Sequence, residues 1–132
     1  MNILLTNDDG YRADGINTLK KYLLRFGRVI IVAPENNQST TSHSISLNRP
    51  LRCKKIKKDI YSVSGLPADC VNFAINSDKI HEKFHLVISG INDGAGAMVL
   101  TTADIASKRN LNPIGRVVGY GVAGVDPTFG LV

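Results

Sequence analysis

A chain of 132 residues is long enough to bury a core of its own, and 43% hydrophobic content excludes wholesale disorder. No apolar run approaches the roughly 20 residues of a membrane span, and no basic segment followed by a long apolar one opens the chain, so the reading is a cytoplasmic protein with no membrane partner. The net charge of +5 leaves phosphates and nucleic acid open as partners, while Cys53 and Cys70 form no CxxC pair and read as reduced thiols.

Met1–Thr6 carries the run Ile3-Leu4-Leu5 and is expected as a first strand, buried on both faces. Asp14–Phe26 has Ile16, Leu19, Leu23 and Leu24 at helical spacing, and Gly27 suits its end. Arg28–Ala33 is a second apolar strand, stopped by Pro34. Glu35–Ser44 is too long and too polar for a mere connector. Ser44–Leu47, Leu51–Ile56 and Tyr61–Val63 read as short strands. Ala68–Asn76 reads as a helix opening near Pro67, with Asp69 at its positive end in a structural role. Phe84–Ser89 is a third buried strand. The strand–helix–strand order implies an α/β domain over 1–132, with a Rossmann-like, mostly parallel sheet and helices on both faces.

The three buried strands deliver polar residues to one edge of that sheet: Asn7-Asp8-Asp9, then Asn36 to Ser39, then Asn92-Asp93. Open α/β sheets bind ligands in the crevice at the strands' carboxyl ends. Asp8 and Asp9 are too close to share that crevice unless a cation offsets their repulsion. Hard oxygen donors there favour Mg²⁺ or Mn²⁺ over zinc. A solvated turn is the plainer alternative for the same residues, since Asn, Asp and Gly form turns everywhere. His43 in the polar loop is a candidate general acid, and His85 reads as a strand-end residue.

Six of the ten residues from Arg49 to Lys58 are basic. No aromatic residues interleave with them for base stacking, so the run reads as a solvated strand before it reads as a nucleic-acid surface. The glycines of 115–124 form no dinucleotide-binding pattern behind a strand.

MNILLTNDDG, IVAPENNQSTTSHSISL, SVSGLPADCVNFAIN and HLVISGIN, in this order, resemble the SurE family of metal-dependent nucleotidases over residues 1–92. The resemblance implies a divalent metal, Mg²⁺ or Mn²⁺, and hydrolysis of nucleoside monophosphates to nucleoside and phosphate. It implies Asp8, Asp9, Ser39 and Asn92 as metal ligands, Asp9 and Asn7 in catalysis, and Asn36, Ser39 and Ser42 near the substrate. Thr40 stands where members often carry glycine. Members are usually homo-oligomers, through a hairpin this sequence lacks.

After Asn92 the text departs. Members continue with N-x-G-x-D and a Tyr-Ser-Gly-Thr segment that cradles phosphate. Here SGINDGAGAMVL, the helix-like Ala103–Lys108 and NPIGRVVGYGVAGVDP resemble an internal stretch of thiolases, without the thiolase nucleophile. A chimeric or truncated chain reads this way, with residues 93–132 as an atypical tail. Gly115–Val125 is expected as a buried apolar strand. Thr101 and Thr102, the nearby hydroxyls, are expected in or after a strand, away from any helix start. Two alternatives therefore stand beside the nucleotidase: a metal-binding domain with impaired catalysis, and a basic nucleic-acid-binding module.

Overall fold

The computed structural model describes residues 1–39, 50–92 and 98–116. Its centre follows from the three apolar runs. β1 (Asn2–Thr6) pairs in parallel with β2 (Arg28–Pro34) on one side and with β5 (Leu86–Ser89) on the other. β4 (Ile60–Val63) extends the parallel block beyond β2. The two outer strands, β3 (Cys53–Lys57) and β6 (Met98–Thr101), are antiparallel, giving the order β3-β4-β2-β1-β5-β6. The sheet is thus parallel at its core and antiparallel at both edges.

Alternation along the strands divides the core in two. Ile3, Leu5, Val29, Ile31 and Ile88 share one face with Ile16 of α1 (Asp14–Leu23). Leu4, Ile30, Val32 and Val63 share the other with Cys70 and Ala74 of α2 (Pro67–Asn76). A sheet covered by helices on both faces needs apolar residues at odd and even positions alike, which is why β1 and β2 read as unbroken runs.

α1 ends at Leu23, three residues earlier than its periodicity predicts, and Tyr22, Leu24 and Phe26 are left exposed. Gly27 serves a close approach instead of a helix end: a Cβ there would lie 2.1 Å from the Met1 carbonyl oxygen. That carbonyl accepts the Arg28 N–H that opens β2. α2 begins at Pro67, whose fixed φ suits a first helical position. Asp69, fully buried, accepts the Leu66 N–H at 2.8 Å and so satisfies a donor the helix leaves orphaned. The structural role read for Asp69 is the one observed.

α3 (Ala103–Lys108) falls where the sequence places a helix. Of the expected strand Gly115–Val125, only Gly115 and Arg116 are described, and neither is in a strand; the remainder, like the expected strand Ser44–Leu47, lies outside the described residues. Cys53 and Cys70 are free thiols, and burial pushes both pKa values up. Among the described residues no helix is long and apolar enough to cross a membrane.

Candidate metal centre

Because β1, β2 and β5 run parallel, their carboxyl ends open on one edge, and the loops leaving them lock together there. The Tyr11 N–H donates to the Pro34 carbonyl at 3.1 Å, and the Gln38 N–H donates to the Asp8 carbonyl at 2.6 Å. Gly10 sits in the joint with φ +96, where a Cβ would meet the Pro34 oxygen at 3.2 Å. Only glycine takes that backbone conformation without strain. Asn7 closes the same turn, its Oδ1 accepting the Gly10 N–H at 3.1 Å.

Within this frame the structure brings Asp8, Asp9, Ser39 and Asn92 together. The Ser39 hydroxyl lies 3.0 Å from Asp9 Oδ1. The Asp8 N–H donates to Asn92 Oδ1 at 3.4 Å, tying the end of β1 to the end of β5. Asp8, Asp9, Ser39 and Asn92 are all half-buried, reachable from solvent yet partly shielded from it.

Asn37 belongs to this group and the sequence reading passed over it. Its Oδ1 accepts the Ser39 N–H at 2.7 Å, an Asx turn that fixes the serine, and it also lies within reach of the Ser39 hydroxyl. Its Nδ2 points to Asp9 Oδ1 at 3.4 Å. One hydroxyl proton serves either Asn37 or Asp9, so the Ser39 hydroxyl can turn between them. The run Asn36-Asn37-Gln38 behind a strand was the available signal. Asn36 itself is exposed, with its backbone against Gly10. Ser42 and His43 lie outside the described residues.

Asn7 is fully buried, and among the described residues its Nδ2 has no hydrogen-bond partner; the buried hydroxyl of Thr6 has none among them either. Unsatisfied buried donors are costly and are found where a ligand completes the set. Among the described residues no group of three or more His, Cys, Asp or Glu side chains gathers. A cation here would rest on two carboxylates, a hydroxyl and an amide oxygen. That set fits Mg²⁺ or Mn²⁺, which take one or two carboxylates and leave positions for water and phosphate, and it lacks the nitrogen or sulfur donors of a zinc site.

The rim is basic. Glu35, one residue past β2, pairs with Lys54 at 2.9 Å, and Lys54, Arg12 and Arg52 together hold its carboxyl below the ordinary range. Lys55 lies over the Tyr61 ring. These lysines stand on the β3 edge, where charge prevents edge-to-edge pairing.

Thr101 and Thr102 lie elsewhere. β6 runs against β5, so Thr101 is level with Leu86 at the start of β5, at the edge opposite Asp8 and Asp9. Thr102 corrects its expectation: it is the N-cap of α3, its hydroxyl accepting the Ile105 N–H, and so does stand at a helix start. His85 is at that far edge too, with Nδ1 accepting the Asn2 N–H at 3.0 Å.

The family model for Survival protein SurE matches residues 3–104, twelve residues beyond Asn92. A 5'-nucleotidase SurE of Clostridium botulinum (strain ATCC 19397 / Type A) is 51% identical over 98 residues, and one of Geotalea daltonii is 47% identical over 95. The first match takes in 71% of this chain and the second 72%, each 38% of the relative. The chain therefore spans well under half the length of these relatives. The crystal structure of SurE protein from Aquifex aeolicus superposes with a TM-score of 0.66 at 45% identity, over 71% of this chain and 38% of that one. With the motifs, the sheet and the family match in agreement, the chain belongs to the SurE family.

Proposed function

We propose that this chain holds a divalent cation, Mg²⁺ or Mn²⁺, and uses it to hydrolyse nucleoside monophosphates to nucleoside and phosphate. The observation that supports the reading most is the meeting of Asp8, Asp9, Ser39 and Asn92 at one sheet edge from three separate strand ends. Kinship with proteins named 5'-nucleotidase SurE supports the substrate class. A cation held there polarises a phosphoryl group and lowers the pKa of bound water.

The protein's own groups do the rest. Asp8 and Asp9 supply the charge that retains the cation. Asn37 orients Ser39 through the Asx turn. Asn7 Nδ2, buried and without a partner among the described residues, donates to a phosphate oxygen brought into the crevice. Arg12, Arg52 and Lys54 give the rim a positive field that draws an anionic substrate.

The test is phosphate release from a panel of nucleoside monophosphates with Mn²⁺ or Mg²⁺, beside calorimetric titration of each metal. Metal-dependent release that chelator abolishes is the expected result. Release that survives chelator, or no metal uptake at millimolar concentration, overturns the proposal.

A further inference from the structure

Glu35, directly behind β2, has cations around it from three stretches of chain. Its N–H donates to the Val63 carbonyl at 2.9 Å. Ser64, the next residue along, is bound to Arg52 in both directions: its N–H donates to the Arg52 carbonyl and its hydroxyl accepts the Arg52 N–H, each at 2.9 Å. Lys54, level with Ser62 across the β3–β4 ladder, reaches the Glu35 carboxylate at 2.9 Å. Arg12 comes from the β1 side, since the Tyr11 N–H holds the carbonyl of Pro34. Its guanidinium lies 4.9 Å from the ring centroid of Tyr11, which is buried and so steadies it. Arg12, Arg52 and Lys54 are all exposed, and among the described residues the only ion pair any of them makes is that of Lys54 with Glu35.

Three cations against one carboxylate leave a local surplus of positive charge. A phosphate monoester carries about −1.5 to −2 near neutral pH, which is the charge that surplus matches. A nucleoside monophosphate has one phosphate only, and the crevice takes it. We propose that Arg12, Arg52 and Lys54 form a site for a second phosphate, and that the substrate class this chain holds best is a nucleoside 3',5'-bisphosphate. The site rests on the nucleotide hydrolysis proposed for the crevice, and it lies beside it: Arg12 follows Asp9 by three residues, so their Cα atoms are at most about 11 Å apart. One phosphate is cleaved at the crevice. Water adds to its phosphorus, the ester bond to the ribose oxygen breaks, that oxygen keeps the electron pair and takes a proton, and inorganic phosphate leaves. The other phosphate stays intact as a handle in the arginine forks. Glu35 engages Lys54 and repels an incoming phosphate, so it limits the gain. The three cations converge on one point instead of lining a track, which suits a single phosphate and not the backbone of a strand.

The experiment is calorimetric titration of the full chain with adenosine 3',5'-bisphosphate and with adenosine 5'-monophosphate, both with Mn²⁺, in the native sequence, in R12Q/R52Q and in E35Q. The bisphosphate is expected to bind at least about tenfold more tightly than the monophosphate, an advantage that high salt narrows. R12Q/R52Q should cut that advantage to within about twofold. E35Q should widen it by about threefold, the opposite of what a loss of fold would do. Equal affinity for the two nucleotides, or an advantage that survives R12Q/R52Q, overturns the second site alone. Binding of neither nucleotide overturns the nucleotidase reading together with it. A single-stranded oligonucleotide without a terminal phosphate that binds more tightly than the bisphosphate assigns the rim to a nucleic-acid backbone, and overturns the proposal too.

Discussion

Asp9 is the residue on which the site turns, since it touches Ser39 and Asn37 and stands next to Asp8 in the chain. Two adjacent carboxylates repel in the absence of a cation, so neutralising one costs the fold nothing and costs the ion an anchor. Asp9→Asn should weaken Mn²⁺ binding by at least about tenfold, as removing a charged ligand does, while the melting temperature of the metal-free protein holds or rises. Calorimetric titration and a thermal melt read the two effects separately; unchanged affinity would remove Asp9 from the site. Gly10 is the backbone counterpart. A side chain at its φ of +96 is strained, and the Pro34 oxygen stands 3.2 Å from where the Cβ would be. Gly10→Ala should cost about 1–3 kcal/mol in denaturant unfolding. Metal affinity should fall with it, because the same turn sets Asp8 and Asp9 against the β2 loop.

At the scale of elements, the edge opposite the site is held by a charge clasp. Arg28 at the start of β2 reaches both Asp59 in the β3–β4 turn and Glu82 ahead of β5. Glu82 also accepts from the Asn2 side chain at 3.1 Å, so β1 joins the clasp. The hydrogen bond from Arg28 is the main cause that holds the Asp59 carboxyl below its usual value of 3.8. As pH falls, the unfolded chain takes up the proton first. The clasp therefore stabilises the fold above about pH 3.8, and the contribution is lost as pH falls through the lower folded value. Melting curves between pH 6 and pH 3 should show the loss in the native sequence and a shallower one in Asp59→Asn, with high salt narrowing the difference. This clasp was not legible in the sequence, because residues 28, 59 and 82 meet only through the strand order. The central strands were legible, since burial on both faces leaves continuous apolar runs in β1 and β2. The antiparallel edges were not: both faces of β3 and β6 meet solvent, and neither lysines nor a run as short as Met98–Thr101 encodes direction. The site was legible wherever a polar residue follows a buried strand directly, as Asp8, Asp9 and Asn92 do. Asn37 escaped because its part depends on the Asx turn that reaches Ser39, a property of the folded loop.

For the molecule as a whole, the path of the chain after β5 decides how well the site can work. The sequence resemblance places a phosphate-cradling Ser-Gly-Thr segment beyond the SGIN loop, and this sequence has none there. The hydroxyls that follow are carried off by topology: β6 reverses direction, and Thr101 and Thr102 end at the sheet edge away from Asp8 and Asp9. Thr102 is already committed to capping α3, a helix of six residues. A cradle contributes by stabilising charge as it develops on phosphate, and losing such donors commonly costs about 3 kcal/mol of barrier, on the order of a hundredfold in rate. The proposed metal uptake would rest on other atoms, those of Asp8, Asp9, Ser39 and Asn92, and should persist. The chain should therefore bind Mn²⁺ with the affinity of a full-length SurE relative, yet release phosphate from the same nucleoside monophosphate on the order of a hundredfold more slowly. Calorimetric titration and initial rates, run side by side on the two proteins, check both halves. A rate within about tenfold of the relative's would mean that a group outside 98–116 has taken over the cradle. Residues 93–97, which follow Asn92 directly, would then be the first to substitute.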